Sequence, residues 1–318
     1  MSLLSEMPKL RKLDVGYLLP SIDSRPSGIA TPFLPHLQAL LLSDTLSKCA
    51  NFIEHLSFPD STCVHLCFCG FDTTSTGTER DDELRLLNPV ISRLLSSSGT
   101  NDRHVERLEL GQRTGHRKWL EVTLWISGGP DSEPLVEDDC CRIMEREELP
   151  RFEVEISKYA GPSGADEMLQ IILPSLRLEK LREVVITTDS DFLSSNTYAR
   201  FFAGLPELRI FAMDNPGFHN FVETLSRTDI QPISSGTKFV PSNSGDPTIA
   251  FPALERISLR GSSFDPVSDS SLDRLIDACK IRKAHNTIIP TVEVINFTLP
   301  DEQLALCRAA LGDNFCVW

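Results

Sequence analysis

LPHLQALLLSDTLSKCANFIEHLSFPDSTCVHLCF, residues 34–68, reads as strand, turn, helix, turn and strand in one short run. Leu40 and Leu42 bracket Leu41 in an extended L-x-L. Asp44 and Thr45 then offer a helix start, and Leu46, Ala50, Ile53 and Leu56 recur at helical spacing. Val64, Leu66 and Phe68 return to a period of two. Working outward, the template P-x-L-x-x-L-x-L, with any apolar residue at the Leu positions, matches from Pro8, Pro35, Pro206, Pro252 and Pro290. With the proline relaxed it also matches from Ser61, Arg103, Arg117 and Glu179.

The matches starting at 8, 35 and 61, and those at 179 and 206, lie 26 or 27 residues apart. That period falls inside the roughly 20–29 residues of a leucine-rich repeat. One such unit cannot bury its leucines and its helix face alone, so neighbours must stack to complete a core. The expected fold is therefore α/β: an irregular leucine-rich-repeat solenoid, a horseshoe with a mostly parallel concave sheet and outer helices. Strands are predicted near 13–15, 40–42, 64–68, 108–110, 184–186, 211–213, 257–259 and 292–297. The short step from Arg103 to Arg117 predicts a tight hairpin through Gly111 and Gly115.

Side chains alternate along a strand, so the outer residues of each L-x-L should point to the core and the middle one to the open face. The predicted open positions are Asp14, Leu41, Cys67, Glu109, Thr123, Val185, Ala212, Ser258 and Asn296, whereas a residue such as Leu259 belongs to the core. Helices are predicted after Asp44, over 166–176, after Asp191 and over 269–285. A further helix begins at Pro300, with Phe315 and Trp318 covering the last core edge.

A length of 318 residues exceeds one ordinary core and suits either two domains or an elongated repeat. The repeats favour a single domain over 1–318, beginning within a repeat and so expected to lack upstream repeats, with loop insertions at 70–82, 127–139 and 226–250. Thirty-one Lys and Arg against 45 Asp and Glu give a net charge of −14, which opposes binding to nucleic acid and to anionic lipid. No signal-peptide run and no stretch of about 20 apolar residues is present, so membrane insertion is not expected. Nine cysteines, without a C-x-x-C pair, suit a reduced intracellular chain, cytoplasmic or nuclear.

The unit at 34–68 resembles the leucine-rich-repeat region of the expanded fungal F-box proteins, in which an N-terminal F-box precedes irregular strand and helix repeats. The resemblance implies a protein–protein recognition domain, like the substrate-binding region of a ubiquitin-ligase adapter. The alternative is a leucine-rich-repeat scaffold or regulator unconnected with ubiquitin ligases. No L-P-x-E opening stands at the N-terminus, so a ligase core is an expected partner only if an F-box lies upstream. Leu299-Pro300-Asp301-Glu302 mimics that opening, but too few residues follow for a three-helix module.

The chain carries no G-x-S-x-G, H-E-x-x-H, phosphate-loop or dinucleotide-loop motif, and no enzymatic activity or cofactor is expected. Cys63, His65, Cys67 and Cys69 share one face of a strand. Spread along it at about 3.3 Å per residue, they cannot converge on one ion, so no metal site is expected there. The candidate partner-binding residues are Arg107, Glu109, Glu121, Thr123 and Trp125, an outward tryptophan ringed by charges in the manner of an interface hot spot.

Overall fold

The computed structural model describes residues 2–19, 31–68, 82–95, 103–113, 119–126, 152–157, 162–188, 192–214, 218–228, 249–261, 271–296 and 299–318. The strands are β1 (Lys12–Gly16), β2 (Ala39–Asp44), β3 (Cys63–Phe68), β4 (Val105–Arg113), β5 (Trp119–Ile126), β6 (Phe152–Ser157), β7 (Glu183–Thr188), β8 (Ile210–Asp214), β9 (Arg256–Arg260), β10 (Thr291–Ile295) and β11 (Phe315–Val317). The helices are α1 (Ser2–Ser5), α2 (Leu46–Glu54), α3 (Leu87–Leu95), α4 (Pro162–Ile172), α5 (Ser195–Thr197), α6 (His219–Leu225), α7 (Ser271–Ala284) and α8 (Asp301–Leu311). The chain divides into two compact units. The first comprises residues 1–106, 114–160 and 171–177; the second comprises 107–113, 161–170 and 178–318.

In the first unit the strand order is β1-β2-β3-β6-β5, parallel except that β5 runs antiparallel to β6. Leu40, Leu42, Val64, Leu66, Val154, Ile156, Val122 and Leu124 are buried. This is the face that strand alternation assigns to the core. Helix α2 packs on β2 and on α3, burying Leu46, Cys49, Phe52 and Ile53.

Asp44, at the end of β2, fixes the junction to α2. Its carboxylate accepts the Thr45 amide at 2.8 Å and the Leu19 amide at 3.2 Å, and it pairs with Lys48 Nζ at 3.0 Å. Burial alone would push this carboxyl up, but the Thr45 amide, Lys48 and the Leu19 amide together hold it below the usual range. A depressed carboxylate stabilises the fold above its unfolded pKa, and that stability is lost as pH falls through the folded value. Asp44→Asn is therefore expected to cost about 1–3 kcal/mol at neutral pH, measured by urea unfolding. The gap between the two proteins should close on acidification below about pH 4, where the unfolded carboxyl also takes up its proton; a gap independent of pH would remove the charge from this role.

In the second unit the order is β4-β7-β8-β9-β10-β11, all parallel. Leu108, Val184, Phe211 and Ile257 stand at equivalent register on successive strands, where the shared template places them. Its earlier apolar position, Leu181, Leu208 and Leu254, forms a second buried layer. Phe211 stacks on Phe221 with centroids 4.4 Å apart, and Tyr198 and Phe251 each stand 5.9 Å from it.

The mostly parallel α/β class follows the repeat reading, with several corrections. Strand β6 was not expected; the helix expected from Pro300 is α8, and Phe315 is buried as expected but in an added strand, β11, beside Val292, whereas Trp318 is 73 % exposed. On β10 the core residues are Val292 and Val294, and Glu293 lies beside Ser258. The predicted middle residue, Asn296, sits past the strand at φ 61°. The template slides by three residues there, because Val292, Ile295 and Phe297 satisfy its apolar positions as well as Ile289, Val292 and Val294 do.

Middle positions are not uniformly open either: Thr123, Val185, Ala212 and Ser258 are buried. Small residues on adjacent strands, about 4.8 Å apart, are covered by longer neighbours. Arg260 reaches back to donate from Nε to Ser258 Oγ at 3.3 Å. The helix expected after Asp191 starts instead with Ser194, whose hydroxyl accepts the Thr197 amide at 3.2 Å, and Tyr198–Phe202 continue as a π-helical turn. The loop insertions expected at 70–82, 127–139 and 226–250 lie almost wholly outside the described residues, as does the tip of the expected hairpin at 114–118.

Candidate functional site

The sheet of the first unit has a polar face that follows from register. His65 on β3 lies beside Glu153 on β6, and Cys67 beside Glu155. Antiparallel pairing then sets Thr123 of β5 against Glu153 and Glu121 against Glu155. All these residues alternate with the buried Leu66, Val154 and Val122 and so share the opposite face.

The imidazole of His65 stands between two carboxylates. Nδ1 is 3.6 Å from Glu153 Oε2, and Nε2 is 3.9 Å from Glu155 Oε1. One donor atom from each of His65, Glu153 and Glu155 can be chosen so that all lie within 4.8 Å of one another. The side chains of His65 and Glu153 are only 20 % and 10 % exposed. Burial draws the His65 pKa down, and the opposing charges of Glu155, Glu121 and Asp14 do not overcome it. The neutral ring, with a lone pair to offer, is the favoured form. Nδ1 itself is buried without a hydrogen-bond partner. The Thr123 hydroxyl donates to Glu121 Oε1 at 3.5 Å, completing a file of acceptors next to the ring. Such an arrangement can hold a cation or a positively charged side chain.

Cys63, His65 and Cys67 do share a face of β3, and all three are partly exposed, as alternation requires. Cys69 lies outside the described residues. The companions of His65 come from β6, across the sheet, and not from its own strand. Sequence reading missed them, although Phe152, Val154 and Ile156 alternating with Glu153 and Glu155 is a legible strand signal.

The expected patch of Arg107, Glu109, Glu121, Thr123 and Trp125 divides between the units: the first two residues belong to the second unit and the other three to the first. Arg107 is engaged locally, 3.9 Å from Glu109 and 3.7 Å from Glu183. Glu121 joins the acidic face around His65. Thr123 is fully buried and Trp125 is 9 % exposed, so the outward tryptophan anchor is corrected. Its parity is the expected one, but covering an indole of some 200 Å² or more is worth several kcal/mol at about 25 cal/mol per Å².

Among the described residues no helix is long and apolar enough to cross a membrane. Compared with family models, with curated proteins and with solved structures, the chain gives no significant match.

Proposed function

We propose that the chain is a non-catalytic protein-recognition domain that works through the polar face of the strands in its first unit. The observation that carries this reading is the register of β3, β6 and β5, which gathers His65, Glu121, Glu153 and Glu155 on one face while the other face forms the core. Mostly parallel strands bearing a repeated L-x-L support a leucine-rich-repeat architecture, and with it the resemblance to the substrate-binding region of fungal F-box adapters. A ligase core enters this reading only through an F-box outside the repeats. Carboxylates favour a partner segment rich in Lys and Arg, and the net charge of −14 disfavours nucleic acid.

The test is binding of matched basic and acidic peptide panels by biolayer interferometry. Basic peptides are expected to bind, with affinity falling as salt rises. The double variant Glu121→Lys/Glu155→Lys should weaken them at least tenfold with circular dichroism unchanged. Equal binding of both panels, or wild-type affinity in the double variant, would reject the reading.

A further inference from the structure

We propose that His65, Glu153 and Glu155 form a binding site for a divalent transition-metal ion of the zinc class. A neutral imidazole and two carboxylates are ligands that Zn²⁺ accepts, at about 2.0–2.2 Å from each donor atom, so tetrahedral ligands stand about 3.4 Å from one another. One donor atom from each of the three residues lies within 4.8 Å of the other two, and Glu153 Oε2 stands 3.6 Å from Nδ1, close to that spacing.

An independent observation points the same way. His65 Nδ1 is out of contact with water, lacks a hydrogen-bond partner and faces Glu153 Oε2 at a distance too long for a hydrogen bond. A buried polar nitrogen left in this state costs free energy, and a metal ion bound to the imidazole would relieve it. The ligands also sit on rigid elements. His65 and Glu153 are paired residues on adjacent parallel strands, and Glu155 follows on the same face two residues along β6. Glu121, paired with Glu155, and Asp14 bring further negative charge to the ring, which favours a cation there. Three protein ligands leave a fourth position for water. The site needs no partner molecule, so it stands or falls separately from peptide recognition.

Residues Cys63 and Cys67 on the same face set the control, because thiolates also take zinc. The chain, stripped with a chelator and dialysed, is titrated with Zn²⁺ and separately with Mg²⁺ by isothermal calorimetry, and with Co²⁺ by absorption spectroscopy. The expected result is one Zn²⁺ per chain, no Mg²⁺ binding, and a Co²⁺ spectrum without a thiolate charge-transfer band. Cys67→Ser should bind as the wild type does, whereas His65→Gln and Glu155→Gln should each weaken Zn²⁺ binding at least tenfold. Glu155→Gln alters a partly exposed side chain, so it decides the matter even if His65→Gln does not fold. No Zn²⁺ binding, a thiolate band in the Co²⁺ spectrum, or undiminished binding by Glu155→Gln would overturn the proposal.

Discussion

Replacing Arg282 by methionine is expected to lower the unfolding free energy by about 3–5 kcal/mol, because two buried backbone carbonyls and a third that is half-buried lose their donors at once. Arg282 lies on α7 and is fully buried. Its Nε donates to the Ile288 carbonyl at 3.0 Å, Nη1 to Ala250 at 2.6 Å and Nη2 to Phe251 at 3.0 Å. The guanidinium fork thereby ties the end of α7 to the segment entering β9. It also holds Phe251 at φ 53°, a left-handed backbone that a bulky residue adopts only when its surroundings enforce it. Burial lowers the Arg282 pKa, and burial likewise pushes the neighbouring Cys279 thiol up to about 11, so the thiol stays neutral. Methionine keeps most of the volume and removes every donor. Lysine keeps a charge but not the planar fork, and it should restore less than half of the loss. Urea denaturation of the three proteins measures this. A loss below about 1 kcal/mol for Arg282→Met would mean that water reaches the carbonyls and that the clamp is dispensable.

Phe211→Ala should be nearly as damaging, at about 3–5 kcal/mol, since it opens a cavity at the centre of the second unit. The ring is fully buried, stacked on Phe221 at 4.4 Å with an interplanar angle of 24°, and meets Tyr198 and Phe251 at 59° and 74°. Pairs of this kind add about 0.5–1.5 kcal/mol beyond the area they bury. Phe211→Leu fills much of the space and isolates the aromatic part of the loss. Near-ultraviolet circular dichroism should lose intensity in both variants while the far-ultraviolet signal is kept. A cost for Phe211→Ala below about 1.5 kcal/mol would show that the neighbouring rings collapse into the gap.

These two sites mark where sequence reading stopped. Arg282 looks like one more charge near the end of an amphipathic helix, since its partners are carbonyls 6, 31 and 32 residues away. Phe211 was legible as a core position from its L-x-L setting, but its ring partners come from α6, the π-helical turn and the segment before β9. Glu153 and Glu155 were within reach of the period-two rule and were missed because β6 does not match the proline template. Trp125 shows the opposite error: alternation gave its face correctly, yet a face is not the same as exposure.

The sequence dictates, through apolar residues alternating between strand and helix spacing, that α/β units with mostly parallel strands form. It placed the L-x-L cores at Leu40, Leu66, Leu108, Val184, Phe211 and Ile257, because spacing along one strand is a local property that every match repeats. Long-range packing sets which strands are neighbours, that β5 runs antiparallel to β6, and that His65 therefore meets Glu153 and Glu155. Cross-strand register is set by the summed packing of residues distant in sequence, and a one-residue slip would send every side chain to the other face. Nothing local to residues 63–68 or 152–157 encodes that choice.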